Sequence, residues 1–410
     1  MFRGVFAKRG QKVVTVADVG SDSVAVCIAK LNENGPAWIL ASERAVLKFE
    51  ERTREQTISG VLSLLGEVCE KVIASYAQSK SGEPVSLAYA IIKEPWVSSR
   101  TSRVVTVFER EERINDEIIG ELARKAPDVE KIADRANIFE AGVVRIELNG
   151  YPTRKPVGKF AHNIEVAAIV SECEPTIRKG VTDILQKTFP GSKPILHSGI
   201  RAILSVFHDW SAPSALRVFP QHSEDASKTM AFASETHTRH HFVIDIAGDS
   251  TNCVVIRKDI AAEHLAVPEG VRTILKRVAG HGLTEEKLSL MRMVMRDTCS
   301  GAACDELKAS LGNAEPELVR IFGETFSKLS SGRRLPNDLV LIVEPDLAPW
   351  MVKFFSRIDF CQFTSTTQPF TPTAVGQNDI SHLAVPSPGV SIGAGLAVAV
   401  GFVNSKAEIG

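Results

Sequence analysis

Two short polar turns in this chain combine residue types that can bind phosphate. In chain order they contain Asp18, Gly20 and Ser21, and then Asp245, Gly248, Ser250 and Thr251. Small residues let backbone N–H groups approach phosphate oxygens, and an aspartate near the end of a strand can hold a hydrated Mg²⁺ ion. Either turn alone is weak evidence, because aspartate, glycine and serine are common in turns of every kind.

Apolar, largely β-branched segments on both sides of each turn predict a β-hairpin. The flanking segments are 13–19 and 24–28 for the first turn, and 242–247 and 252–256 for the second. The two aspartates lie 227 residues apart, at equivalent places in two half-chains. The hypothesis is a clamp in which the hairpins face each other and hold phosphates, with a Mg²⁺ ion between Asp18 and Asp245. The alternative is that both aspartates only shape their turns.

The rest of the pattern places these turns among alternating strands and helices. Apolar residues at helical spacing predict a long helix over 55–76, and Asn115 followed by two acidic residues predicts the start of another. This second helix lies among predicted strands at 103–108, 138–148 and 164–171, which together make a compact α+β unit. Buried strands are also expected at 85–92 and 339–343, helices over 270–331, and a core helix within 390–403.

Composition and charge exclude several classes of protein. With 410 residues, 44% hydrophobic and 24% charged, the chain is globular, and not disordered or fibrous. Its 48 basic residues balance 49 acidic ones, so no electrostatic attraction for nucleic acid or anionic lipid is expected. The longest apolar stretch, 390–403, is shorter than the roughly 20 residues that cross a bilayer. We therefore expect a soluble cytoplasmic protein with no nucleic-acid partner and no direct membrane insertion.

Histidines and cysteines form two further clusters with simple structural explanations. His237, His240 and His241 have the spacing of metal ligands, but they fall in a polar segment, so a solvated loop is the favoured interpretation. The seven cysteines include no CxxC pair, which argues against a disulfide framework or a zinc site. Cys299 and Cys304 are accordingly expected to be free, with Cys304 a buried thiol beside exposed acids.

The paired hairpins resemble those of the actin-like ATPase superfamily, and the middle of the chain resembles its FtsA-type cell-division members. The features that carry the second resemblance are the strand–helix pattern over 85–119, Asn149-Gly150-Tyr151, Pro156-Val157-Gly158 and the strand 164–169. The resemblance covers nearly the whole chain. It implies an α/β fold with two ribonuclease H-like lobes and an inserted α+β subdomain. The implied bounds are 1–84 and 172–218 for the first lobe, 85–171 for the inserted subdomain, 219–241 for a linker or loop, and 242–410 for the second lobe.

The same resemblance adds Gly270 to the nucleotide site and implies ATP and Mg²⁺ as cofactors. The chain departs from the family pattern, however, at Ala247, Asp249, Val271 and Glu344-Pro345. A carboxylate at position 249 would repel phosphates, and Pro345 removes a backbone donor where the adenine-binding turn is expected. The site is therefore expected to be degenerate, functional or relict, with weak or absent ATPase activity.

Three functions are consistent with this resemblance. An FtsA-like protein would act as a division scaffold that self-associates, or forms a filament, and links a tubulin-like polymer to the inner face of the membrane through partners. No basic amphipathic helix follows Val403, a feature shared with PilM-type relatives. These imply an alternative, an adaptor for type IV pilus or secretion assembly that binds a peptide of a membrane-anchored partner between the first lobe and the insertion. The third is an active ATPase or kinase.

Overall fold

The computed structural model describes residues 12–78, 83–129, 135–153, 155–207, 240–257, 263–280 and 284–406. In chain order the strands are β1 (Val13–Val19), β2 (Ser23–Lys30), β3 (Ala37–Val46), β4 (Leu87–Ile92), β5 (Val97–Arg113), β6 (Ile138–Leu148), β7 (Tyr151–Pro152), β8 (Phe160–Cys173), β9 (Pro194–Ser198), β10 (His241–Ile246), β11 (Thr251–Ile256), β12 (Glu263–Val267), β13 (Asp338–Ile342), β14 (Thr371–Ala374) and β15 (Ala384–Pro386). The α-helices are α1 (Arg54–Gln78), α2 (Asp116–Val129), α3 (Pro175–Thr188), α4 (Gly199–Phe207), α5 (Val271–Ala279), α6 (Glu285–Met295), α7 (Ala302–Leu329), α8 (Ala348–Phe355), α9 (Gln377–Ile380) and α10 (Ala394–Lys406).

The two larger sheets repeat one topology. The first has the strand order β15-β3-β2-β1-β4-β9, and the second has the order β12-β11-β10-β13-β14. In each, a hairpin supplies the central strand, which pairs in parallel with a strand that arrives later: β1 with β4, and β10 with β13. The predicted hairpins are thus present. Because each central strand is wholly or almost wholly buried, its run of apolar residues is continuous.

Helices and sheets alternate in layers. Helices α1 and α3 cover one face of the first sheet, with Val61, Leu65 and Leu185 fully buried there. Helices α4 and α10 lie between the two sheets, in one core with residues of both, such as Val16 of the first sheet and Val254 of the second. Helices α5 to α8 cover the outer face of the second sheet. The two lobes therefore share a hydrophobic layer, and the hairpin turns lie where the lobes meet.

The inserted subdomain is a separate four-stranded sheet, β5-β8-β6-β7, with α2 packed on it. Asn115 begins α2 as predicted, because its Oδ1 accepts a hydrogen bond from the backbone N–H of Ile118 at 2.8 Å. A cluster around Glu140 joins this sheet to the first lobe. The Glu140 carboxylate contacts His197 Nδ1 at 2.6 Å and accepts hydrogen bonds from Ser198 and Arg201.

The structure moves the predicted domain bounds at two places. Strand β4 pairs with β1 in the first sheet, so the inserted subdomain runs from 97 to 173 rather than from 85 to 171. Near the other end of the chain, β15 pairs with β3 and α10 packs between the lobes, so this part does not belong to the second lobe alone. An apolar run indicates burial but not which sheet buries it. Of the predicted linker 219–241, residues 219–239 lie outside the described residues, and His241 is the first residue of β10.

Cys299 and Cys304 form a disulfide, so the prediction that they are free thiols is wrong. Gly301 has a φ of 103°, which reverses the chain just before α7. Glycine adopts this conformation readily. The turn places the two Cα atoms 5.8 Å apart, within the range of bridged cysteines. The local backbone, rather than the cysteine spacing, makes this pairing accessible.

Candidate functional site

The two hairpin turns meet at a cleft between the lobes, with a volume of about 380 Å³. Its polar lining residues are Asp18, Asp22, Ser23, Arg44, Lys93, Asp245, Glu344 and Ser391. Asp18 lies near the end of β1 and Asp245 near the end of β10, and the parallel strands β4 and β13 end beside them. Ligands bind at such carboxyl ends of strands in many α/β proteins. The cleft is within the size range of small-molecule sites.

Lys93 occupies the space between the two aspartates. Its Nζ lies 3.2 Å from Asp18 Oδ2 and 3.8 Å from Asp245 Oδ2. The side chain enters from the residue directly after β4, where the backbone N–H of Lys93 donates to the carbonyl of Val19 at 2.9 Å. Both ends of the lysine are therefore held, and one ammonium group bridges a carboxylate from each lobe.

Burial and charge act in opposite directions on these groups. Burial by itself lowers the pKa of Lys93, but the carboxylates of Asp18 and Asp245 outweigh it, so the pKa of the ammonium is raised. For Asp245, burial raises the pKa more strongly than Lys93 lowers it. Lys93 therefore carries a full positive charge at neutral pH.

Glu94 makes a second contact between the lobes. With the amide nitrogen of Asn252 turned toward it, Asn252 donates to the two carboxylate oxygens of Glu94 at 3.2 and 2.9 Å. Glu94 is 8% exposed. Burial, and to a lesser degree the charge of Asp245, raises the pKa of Glu94 to about 7. Its carboxyl group consequently titrates near neutral pH.

The predicted site residues divide into two groups. Asp18, Gly20 and Asp245 line the cleft. The others pack where the hairpin turns touch each other and α5. Ser21 Oγ accepts a hydrogen bond from the backbone N–H of Asp249 at 3.1 Å, and Gly248 lies against Asp22. Ser250 is buried, Thr251 Oγ1 donates to the carbonyl of Glu269 at 2.6 Å, and Gly270 lies against the carbonyls of Ala247 and Gly248. In this second group the small residues serve close packing between protein segments.

Asp249 does not face the cleft, contrary to expectation. Its Oδ1 lies 3.7 Å from Arg272 Nε, on the side of the turn toward α5. Arg272 in turn donates to the carbonyl of Glu50 at 3.1 Å, so it ties both lobes together at this point. The Asp249 carboxylate would therefore not repel phosphates in the cleft, although the sequence predicted that it would.

Another ion pair bridges the two lobes at the entrance of the cleft. Arg44 on β3 of the first lobe bonds to Glu344, which follows β13 of the second lobe. Glu344 and Pro345 line the cleft at this end, where the family pattern would leave room for a nucleobase. The Arg44 and Glu344 side chains are each about one-third exposed, so their contact spans the cleft entrance.

The residues of the cleft do not fit a Mg²⁺ ion between Asp18 and Asp245. Such an ion needs oxygen ligands at about 2.0–2.1 Å in octahedral geometry, whereas the ammonium of Lys93 already lies between the two carboxylates. Asp18 Oδ1 has no hydrogen-bond partner among the described residues, which is consistent with an inherited ligand position. No group of three or more histidine, cysteine or acidic residues in the described part of the chain could hold a metal. His237 lies outside that part, and His241 belongs to β10.

Sequence reasoning identified both aspartates but missed Lys93 and Glu94. The signal was present, because Lys93 directly follows the predicted buried strand 85–92. Had this strand been assigned in parallel beside β1, Lys93 would have been expected at the same sheet edge as Asp18, since parallel strands end together.

Among the described residues, no helix is both long enough and apolar enough to span a bilayer.

Comparison with known proteins supports the fold. No protein-family model and no curated protein matches the chain. Among solved structures, the PilM–PilN type IV pilus biogenesis complex is similar over 97% of this chain and 99% of that chain, with 14% identity and a TM-score of 0.56. The ethanolamine utilization protein EutJ from Carboxydothermus hydrogenoformans matches 97% of this chain and 90% of its own, with 10% identity and a TM-score of 0.44. As the sequence predicted, the chain has the two-lobed actin-like ATPase fold.

Proposed function

We propose that this chain is a PilM-like adaptor, which binds an extended peptide of a membrane-anchored partner and does not turn over ATP. The observation that carries the proposal is a groove formed only because the inserted subdomain meets the first lobe. The fold comparison supports this assignment, because the similarity to the PilM–PilN complex extends over 97% of the chain, the insertion included. A surface built by an insertion is a common place for a function added to a shared fold.

The groove has a volume of about 330 Å³ and lies between the helical turn Arg135–Asn137 and α3. Arg178 fixes one wall by donating to the carbonyl of Ala136 at 3.2 Å. Lys179 and Asp183 are exposed on the α3 side, and Pro175 also lines the groove. This surface offers a charge of each sign beside apolar carbon, which suits a short peptide that carries a charged residue.

The interlobe cleft argues against the ATPase or kinase alternative. Phosphoryl transfer needs a metal ion or equivalent positive charges at the phosphates. Here Lys93, the lysine in the described lining of the cleft, is already paired with Asp18 and Asp245, and Arg44 is paired with Glu344. The division-scaffold alternative, with a filament and a tubulin-like partner, requires polymerisation, which a sedimentation assay can detect.

Binding of synthetic peptides tests the adaptor function. Fluorescently labelled cytoplasmic segments of single-span membrane proteins from the same genome would be titrated with the full chain, and polarisation would be followed. We expect one segment to bind with micromolar affinity and Lys179→Glu to weaken it by about tenfold or more. Lys187→Glu, an equal charge reversal on the same helix outside the groove lining, should leave the affinity within about twofold.

Two results would contradict the proposal. The first is the absence of any segment whose binding depends on Lys179. The second is ATP-dependent phosphate release that Asp245→Asn abolishes, which would establish an enzyme. Sedimentation of the chain with ATP and Mg²⁺ separates the scaffold, because a filament-forming protein would pellet and an adaptor would stay in the supernatant.

A further inference from the structure

The Lys93 ammonium lies in a confined part of the interlobe cleft. Asp18 and Asp245 face it from the two lobes, and its side chain is 14% exposed. The first turn of α10 closes a further side: a Cβ at Gly395 would lie 2.7 Å from Lys93 Nζ and 2.8 Å from Asp18 Oδ2. The space thus holds one cationic group and leaves no room for a second between the same carboxylates.

We propose that Lys93 is a covalently attached substitute for a bound metal ion, and that it holds the two lobes together in the absence of nucleotide. An ammonium is a compact charge with three donors, so it can satisfy carboxylates that would otherwise ligate a divalent cation. Without a cation, Asp18 and Asp245 would repel each other across the cleft. The assignment rests on the geometry of this cleft and is independent of the peptide-binding function.

The other contacts across the cleft are consistent with permanent closure. Arg44 bonds to Glu344 at the entrance, Asn252 donates to Glu94 behind the lysine, and the Asp249 N–H donates to Ser21 Oγ at 3.1 Å. Each joins one residue of the first lobe to one of the second. In a nucleotide-dependent clamp, bound phosphate and metal would supply this bridging, whereas here protein groups supply it.

If Lys93 replaces a metal ion, a variant without this lysine should gain a metal-binding site. Mn²⁺ would be titrated into the full chain and into Lys93→Met, and binding would be measured by electron paramagnetic resonance and calorimetry. We expect Lys93→Met to bind one Mn²⁺ per chain, and the unmodified chain to show no saturable Mn²⁺ site even at concentrations about tenfold higher. The double variant Lys93→Met/Asp245→Asn should lose this site. Lys30→Met, which removes a partly buried lysine paired with Glu83, is the matched control and should gain no Mn²⁺ site.

The unmodified chain supplies a second test that does not depend on a variant folding. Hydrogen exchange of the two hairpin turns would be compared with and without millimolar ATP and Mg²⁺, and we expect no change in protection. Slower exchange on addition of MgATP would overturn the proposal, because closure would then depend on ligand. A Mn²⁺ site in the unmodified chain that Asp245→Asn removes, or no Mn²⁺ site in a folded Lys93→Met, would also overturn it.

Discussion

Glu94 should make the stability of this protein fall as the pH rises from about 4.5 to about 7. Burial and the nearby charge of Asp245 raise the pKa of Glu94 from 4.5 to about 7. The folded chain therefore holds this proton more tightly than the unfolded chain does. The associated stability is fully present below about pH 4.5, decreases between about pH 4.5 and 7, and is absent above about pH 7.

The size of the effect follows from the difference between the two pKa values. One pH unit corresponds to about 1.4 kcal/mol, so a pKa raised from 4.5 to about 7 corresponds to roughly 3 kcal/mol of unfolding free energy. Glu94→Gln removes the ionisation, keeps the shape of the side chain, and retains a partner for Asn252. The variant should be more stable than the unmodified chain by up to roughly 3 kcal/mol above about pH 7, and equally stable near about pH 4.5.

Urea unfolding followed by circular dichroism, at several pH values from about 4.5 to 8, measures this difference. Glu83→Gln is the matched control, because Glu83 is 43% exposed and paired with Lys30 at the surface. Its stability should follow that of the unmodified chain at every pH. If Glu94→Gln also follows the unmodified chain throughout, or is the less stable of the two above about pH 7, the proposed protonation of Glu94 is wrong.

Three further substitutions test the packing around the site, each by urea unfolding. Gly270→Ala should cost about 1–3 kcal/mol, because its Cβ would lie 2.5 Å from two backbone oxygens. The control Gly312→Ala should not destabilise, because its Cβ would meet nothing within 4 Å beyond its chain neighbours and the backbone of its own helix. Phe326→Ala should cost about 3–5 kcal/mol, because this ring is fully buried among other phenylalanines; a loss below about 1 kcal/mol would contradict that packing. Glu140→Ala should cost about 3–5 kcal/mol by leaving the buried His197 and the partly buried Arg201 without their carboxylate. Limited proteolysis should then release the inserted subdomain, and unchanged proteolysis would argue against this junction.

Local sequence patterns predicted the elements that local interactions stabilise. The hairpin of β1 and β2, with Asp18 near its turn, is encoded by apolar, largely β-branched residues on both sides of Gly20. The start of α2 is encoded by the side chain of Asn115, which satisfies a backbone N–H three residues later. Both signals act over a few residues, so they can be read without knowledge of the fold.

Contacts between distant segments were decided by the tertiary structure. Sequence patterns predicted two Asp-containing hairpins and a compact α+β unit, and the resemblance to a known family implied the insertion and the two-lobed α/β architecture. Only the fold set β4 beside β1, brought Lys93 between Asp18 and Asp245, and placed α10 between the lobes. The physical reason is that the type of a residue tells only what it needs: an apolar side chain needs to be buried, and a buried charge needs an opposite charge. Which segment of the chain buries the side chain or pairs with the charge depends on the packing of the whole chain.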